Sequence, residues 1–130
     1  MLFRSAAAEG QAIDFTAVVA ACRARLSPGR LTLVEGVGGV MVPLDEQHTI
    51  LDLASALALP VVLVSATALG AISHLLTARA VLKARGLSIA VIVLNESASS
   101  TVPIDATLAT LSRFCGEPLL FVPRDAGEAT

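Results

Sequence analysis

An acid followed by almost bare backbone, Glu35-Gly36-Val37-Gly38-Gly39, closes the apolar run Leu31-Thr32-Leu33-Val34. A carboxylate at the end of a strand can hold Mg2+ through an oxygen, directly or by way of water, as hard-cation sites beside phosphates do. The glycines let main-chain N–H groups approach an anion with no Cβ in the way. The same spacing suits a solvated acid followed by a tight turn, and residue types alone leave the two readings level.

Three further polar clusters follow apolar runs in the same manner: Ser65-Ala66-Thr67, Asn95-Glu96-Ser97 and Pro123-Arg124-Asp125. In open α/β sheets ligands bind beyond the carboxyl ends of the parallel strands. The four clusters are therefore expected to share one rim.

Alternating elements must position that rim. Phe15, Val18, Val19, Cys22 and Leu26 recur at helical spacing after Asp14, and Ser27-Pro28-Gly29 stops the helix. "LTLVEG", "PVVLVSA" from Pro60, "SIAVIVLN" from Ser88 and "EPLLFVP" read as strands, the last cut off at Pro123. Their consecutive Val, Ile and Leu suit strands of a parallel sheet buried on both faces. "TILDLASALAL", "GAISHLLTARAVLKARG" and a stretch around Ile104 to Phe114 read as helices, the second closed by Gly86. The order predicts βαβ units in a doubly wound α/β layer: a parallel sheet with flanking helices. Asp52, three after Thr49, completes a capping box rather than a catalytic pair. Ser65 and Thr67 are expected to cap the following helix. His48 falls in a loop, His74 at a subunit interface, and Cys115 beside Gly116 at a helix end.

Composition narrows the function classes. At 130 residues and 55% hydrophobic content the chain can build the core of one domain, and a second is not expected. No uncharged apolar run approaches the roughly 20 residues of a membrane span, and Glu9 and Gln11 interrupt any signal-peptide core, so a soluble, cytoplasmic protein is expected. Cys22 and Cys115 lack metal-type spacing and read as reduced thiols. A net charge of −2, with no Trp or Tyr, argues against nucleic-acid binding. Of the nine basic residues only Lys83 is a lysine.

"VEGVGGVMVPL", a Thr-x-x-Asp helix, "LPVVLVSATALGAISHLLTARAVLKARG", "VIVLNES" and "PLLFVP", in this order, resemble the C-terminal part of the dethiobiotin synthase family. "AEGQAIDF" before the first helix strengthens the likeness, which runs from about Ala7 to the end. The resemblance implies a partial P-loop NTPase-like domain, ATP and Mg2+ as cofactors, and a homodimer when complete. The implied reaction is cyclic urea formation from 7,8-diaminopelargonic acid and carbon dioxide.

By resemblance, Glu35 is the Mg2+-binding glutamate, and Gly36, Val37 and Gly38 meet the nucleotide phosphates and the reacting carbamate. Asn95 reads the adenine ring with Glu96 beside it, and Pro123, Arg124 and Asp125 continue the purine pocket. Gly70, Ala71, Ile72 and Ser73 open the helix whose N-terminus receives the substrate carboxylate from the partner subunit. Many relatives carry Asn at the position of Ser73. The alternatives are another P-loop amide ligase or ATPase and, in a different class, a non-catalytic partner-binding domain.

Nothing in the 130 residues matches G-x-x-x-x-G-K-[ST], and the family's catalytic lysines are absent, so no catalytic residue is assigned. Lys83 lies late in its helix, where a cation suits the C-terminal dipole. One explanation is a truncated gene model: "LFRS" is what the adaptor-like CTC TTC CGA TCT spells, and residues 1–6 would then be a non-native leader. The other is a split enzyme completed by a separate P-loop polypeptide. A sheet lacking its N-terminal strands is expected to expose one edge and one apolar face, leaving the chain marginal in solution.

Overall fold

Asp14 starts the first helix by accepting the amide of Ala17 at 3.1 Å, one of the orphan donors of a helix N-terminus. The computed structural model describes residues 12–98, 100 and 102–124, and they fall into two compact units that divide between Leu59 and Pro60.

The first unit holds helix α1 (Phe15–Arg23) and helix α2 (Ile50–Leu57). Val19, Leu44 and Leu53 form its buried centre, with Phe15, Val18, Ile50, Ala56 and Leu57 packed around them. Arg23 ties the helices together, its Nη2 donating to the Ala56 carbonyl at 2.7 Å. The capping box is present: the Thr49 amide and hydroxyl each donate to Asp52 Oδ2 at 2.8 Å. At the other end of α2, Ala58 adopts φ 52°, a left-handed conformation that an L residue with a Cβ adopts at a cost. Ala58→Gly is therefore expected to stabilise the chain by about 0.5–1 kcal/mol, read as a higher urea midpoint at unchanged m-value.

The expected strand Leu31–Glu35 does not form: these residues enter no strand, and Leu31 and Leu33 are 85% and 77% exposed. Residues 30–32 instead fold back on the end of α1, with Thr32 Oγ1 donating to the Arg25 carbonyl at 3.2 Å. A strand needs a hydrogen-bonded neighbour, and apolar periodicity cannot supply one.

The second unit is built as β1 (Val61–Ala66), α3 (Ala71–Ala84), β2 (Ile89–Asn95), α4 (Ile104–Phe114) and β3 (Leu119–Val122). The three strands are parallel, in the order β1-β2-β3, with Ala66 opposite Asn95 and Asn95 opposite Val122 at the carboxyl ends. A Schellman turn stops α3: Leu87 N–H donates to Leu82 O and Gly86 N–H to Lys83 O, with Gly86 at φ +73°. Cys115 is the C-cap of α4, as its spacing predicts.

Helix α3 packs on β1 and β2 and touches α4. Leu63, Ile92 and Leu94 point to the covered face and are buried beside Leu75, Leu82 and Leu111. Val62, Val64 and Leu120 point to the opposite face, where Val64 is 60% exposed. The strands are thus not buried on both faces, and their continuous apolar runs hide an alternation that only the sheet reveals. A doubly wound layer is not seen among the described residues: sequential strand order carries no reversal, which is what sends crossover helices to opposite faces.

Candidate functional site

The glycine-rich loop of the first unit wraps the start of α2. Val42 O accepts the Ile50 amide at 2.9 Å and Val40 O the Leu51 amide at 2.7 Å, so the loop caps the helix with its own carbonyls. Two glycines are set by this packing. A Cβ on Gly36 would stand 2.8 Å from Ile50 Cγ2, while Gly38 has φ +87° and a Cβ there would meet Val42 Cγ2 at 2.8 Å. Gly39 faces open space. Glu35, Val37 and Gly38 are exposed, so the carboxylate and the apex of the loop are open to solvent.

Beside the loop is a turn that spacing does not predict. Asp45 accepts the amides of Gln47 (2.8 Å) and His48 (2.6 Å) and binds His48 Nδ1 at 2.8 Å, which holds its carboxyl below the usual range, the Gln47 amide acting most strongly. The His48 ring stacks on Phe15 with centroids 4.0 Å apart. The loop assignment of His48 stands, but its stacking partner Phe15 lies too far off in sequence to be read from it.

In the second unit the three strand ends are stitched together. Thr67 N–H donates to Ser97 Oγ at 3.1 Å and Ser97 N–H to Thr67 Oγ1 at 2.9 Å. Glu96 N–H donates to Val122 O at 3.0 Å, and Arg124 N–H to Glu96 Oε2 at 3.0 Å. Asn95, Glu96, Pro123 and Arg124 are thus gathered on one rim, with Asp125 outside the described residues. A cavity of about 250 Å3 opens on the helix-covered side, lined by Thr67, Glu96, Pro103, Ile104 and Phe121 among others. Asn95 is exposed and, by the alternation of β2, stands on the open face, whereas its neighbour Glu96 lines the cavity.

Two expectations for this rim change. Thr67 does not cap α3, whose N-cap is Gly70, and Ser65 Oγ donates to the Ala66 carbonyl at 3.2 Å. Both residues lie too far upstream of the helix start, which a turn with Ala71 N–H on Ala68 O precedes. Gly70 to Ser73 do form the N-terminal turn of α3, with Gly70 at φ 86°. His74 is exposed in the single chain.

At the far end of α3, Lys83 Nζ and Arg79 Nε donate to the two oxygens of Glu117, at 2.9 and 2.8 Å. Lys83 is therefore engaged in an ion pair that anchors α3 to the residues before β3. Burial pushes the nearby Cys115 thiol up, which suits an inert core cysteine. Cys22 and Cys115 form no disulfide.

Among the described residues no group of three His, Cys, Asp or Glu side chains could hold a metal, and no helix is long and apolar enough to cross a membrane. A single exposed carboxylate such as Glu35 fits Mg2+, which takes one or two protein carboxylates and completes its shell with waters and phosphate oxygens. It does not fit an all-protein metal cage.

Comparison with known proteins gives a consistent picture. The AAA domain family matches residues 2–124. The ATP-dependent dethiobiotin synthetase BioD of Acidiphilium cryptum is 46% identical over 114 residues, 86% of this chain and 51% of the relative. That of Caulobacter vibrioides NA1000 is 49% identical over 109 residues, 82% of this chain and 49% of the relative. That of Methylobacterium nodulans is 37% identical over 126 residues, 95% of this chain and 56% of the relative. The chain spans about half the length of the curated relatives it matches.

Proposed function

This chain belongs to the AAA domain family, alongside the dethiobiotin synthetases it resembles, and from that premise we propose that it is part of an ATP- and Mg2+-dependent dethiobiotin synthase. The substrates are 7,8-diaminopelargonic acid and carbon dioxide. One amine captures carbon dioxide as a carbamate, and the second attacks the carbamate carbon to close the cyclic urea. ATP supplies the phosphoryl group that lets the carbamate oxygen leave as phosphate. The reaction needs positioned anions and electrostatic stabilisation rather than a protein nucleophile.

Within this scheme Glu35 contributes a carboxylate oxygen to Mg2+, and the amides of Gly36, Val37 and Gly38 face the phosphates and the carbamate. The Asn95 side-chain amide reads the adenine, Glu96 stands beside it, and Pro123, Arg124 and Asp125 extend the purine pocket. The first turn of α3, Gly70 to Ser73, takes the substrate carboxylate of a partner subunit in a cytoplasmic homodimer. The observation that carries the reading is the stitched rim at the carboxyl ends of three parallel strands, the place where open α/β sheets bind ligands, in a chain 46% identical to an ATP-dependent synthetase.

Glu35 separates this account from a solvated acid beside a tight turn. Calorimetric titration of the 130-residue chain with ATP is expected to give tighter binding with Mg2+ than without it. Glu35→Gln should remove about ten-fold of that increment, the worth of one charge-assisted contact, while leaving Mg2+-free binding unchanged. An identical Mg2+ increment in both proteins would assign Glu35 to the solvent and the glycines to the turn alone.

A further inference from the structure

The last register pair between β1 and β2 is Ala66 with Asn95, yet pairing continues past it through side chains. Thr67 and Ser97 exchange two hydrogen bonds, each backbone N–H donating to the other residue's hydroxyl oxygen, at 3.1 and 2.9 Å. Thr67 is buried, so its hydroxyl is enclosed by the fold. Asn95, proposed to read the base, is the last β2 residue of the ladder, and only Glu96, proposed to stand beside it, separates it from Ser97. Successive strand residues point to opposite faces, so whatever extends the pairing also decides which face each one presents. We infer that Thr67 and Ser97 are positioning residues for base recognition: their reciprocal clasp holds Asn95 on the open face and Glu96 toward the cavity.

The chemistry of the clasp is specific. Each residue needs a hydroxyl with a free lone pair at a fixed distance from the other's amide, so Ser can replace Thr at position 67 and Val, of nearly the same shape, cannot. Glu96 is held from its other side as well, its own amide on Val122 O and its Oε2 under the Arg124 amide. Losing the clasp leaves Glu96 and Ser97 anchored only toward β3 and makes the Ala66–Asn95 pair the fraying end of the β1–β2 ladder. The inference rests on the base-pocket reading above.

Adenosine is the probe, because it carries the base without the phosphates and reports this rim alone. Binding to the 130-residue chain is followed by NMR titration, with hydrogen exchange of the Ser97 amide measured on the same samples. Wild type and Thr67→Ser are expected to bind alike and to protect the Ser97 amide. Thr67→Val should raise that exchange rate and weaken adenosine binding about ten-fold, the worth of one well-placed hydrogen bond. Ser97→Ala should weaken binding to a similar degree, and the double variant should fall no further than either single one. Equal adenosine affinity in wild type, Thr67→Val and Ser97→Ala would overturn the positioning role while leaving the base pocket in place. No shift with adenosine in the wild-type chain would overturn the base-pocket reading, and the inference with it.

Discussion

Glu117→Ala is expected to destabilise the chain by about 2–3 kcal/mol at neutral pH. Glu117 is nearly buried and receives Arg79 on one oxygen and Lys83 on the other. Removing it strands the partly buried Arg79 guanidinium, while the half-exposed Lys83 loses little. The Arg79 hydrogen bond, opposed by burial and assisted by Lys83, holds the Glu117 carboxyl at about 2, below its ordinary value of 4.5. A carboxyl whose folded-state pKa is depressed binds its proton more readily when unfolded. Its contribution is therefore complete above pH 4.5 and is lost as pH falls from there toward 2. Urea midpoints measured across this range should decline for the wild type and decline less for Glu117→Gln, which cannot titrate. Superimposable acid profiles would show that the pair adds nothing to stability.

Purified alone, the 130-residue chain is expected to form no dethiobiotin from 7,8-diaminopelargonic acid, carbon dioxide and ATP. Its sequence holds no G-x-x-x-x-G-K-[ST] loop, and its single lysine is committed to Glu117 at the end of α3. Loss of even one preorganised donor to developing charge costs about 10²–10³-fold in rate, and here a whole phosphate cradle and its lysine are not among the 130 residues. ATP-dependent product from the chain by itself would refute this. Turnover regained on adding a separate polypeptide that carries the loop would show that these residues supply the rest of the site.

Much of the secondary structure is legible because its signals are local. Asp14 caps α1, Thr49 and Asp52 form the capping box of α2, Gly86 closes α3, and Cys115 ends α4, each through residues within a turn or two of one another. The βα alternation and the parallel sheet follow from the same patterns. Leu31–Glu35 reads equally well as a strand, but whether such a run pairs depends on a neighbour that periodicity does not name. The site divides along the same line. The strand-end clusters can be read in order, yet the cavity takes Glu96 while Asn95 stands on the other face, a distinction of one residue in a period of two.

The sequence by itself determined which residues become helix and strand in most of the chain, where those elements stop, and the family to which they belong, since caps, glycines and apolar spacing act over a few residues. Tertiary structure alone decided that Gly36 must lack a Cβ because of Ile50, that Thr67 clasps Ser97 instead of capping α3, and that Glu117 joins Arg79 across 38 positions. Those contacts depend on which surfaces meet in three dimensions, and chain spacing does not encode that directly.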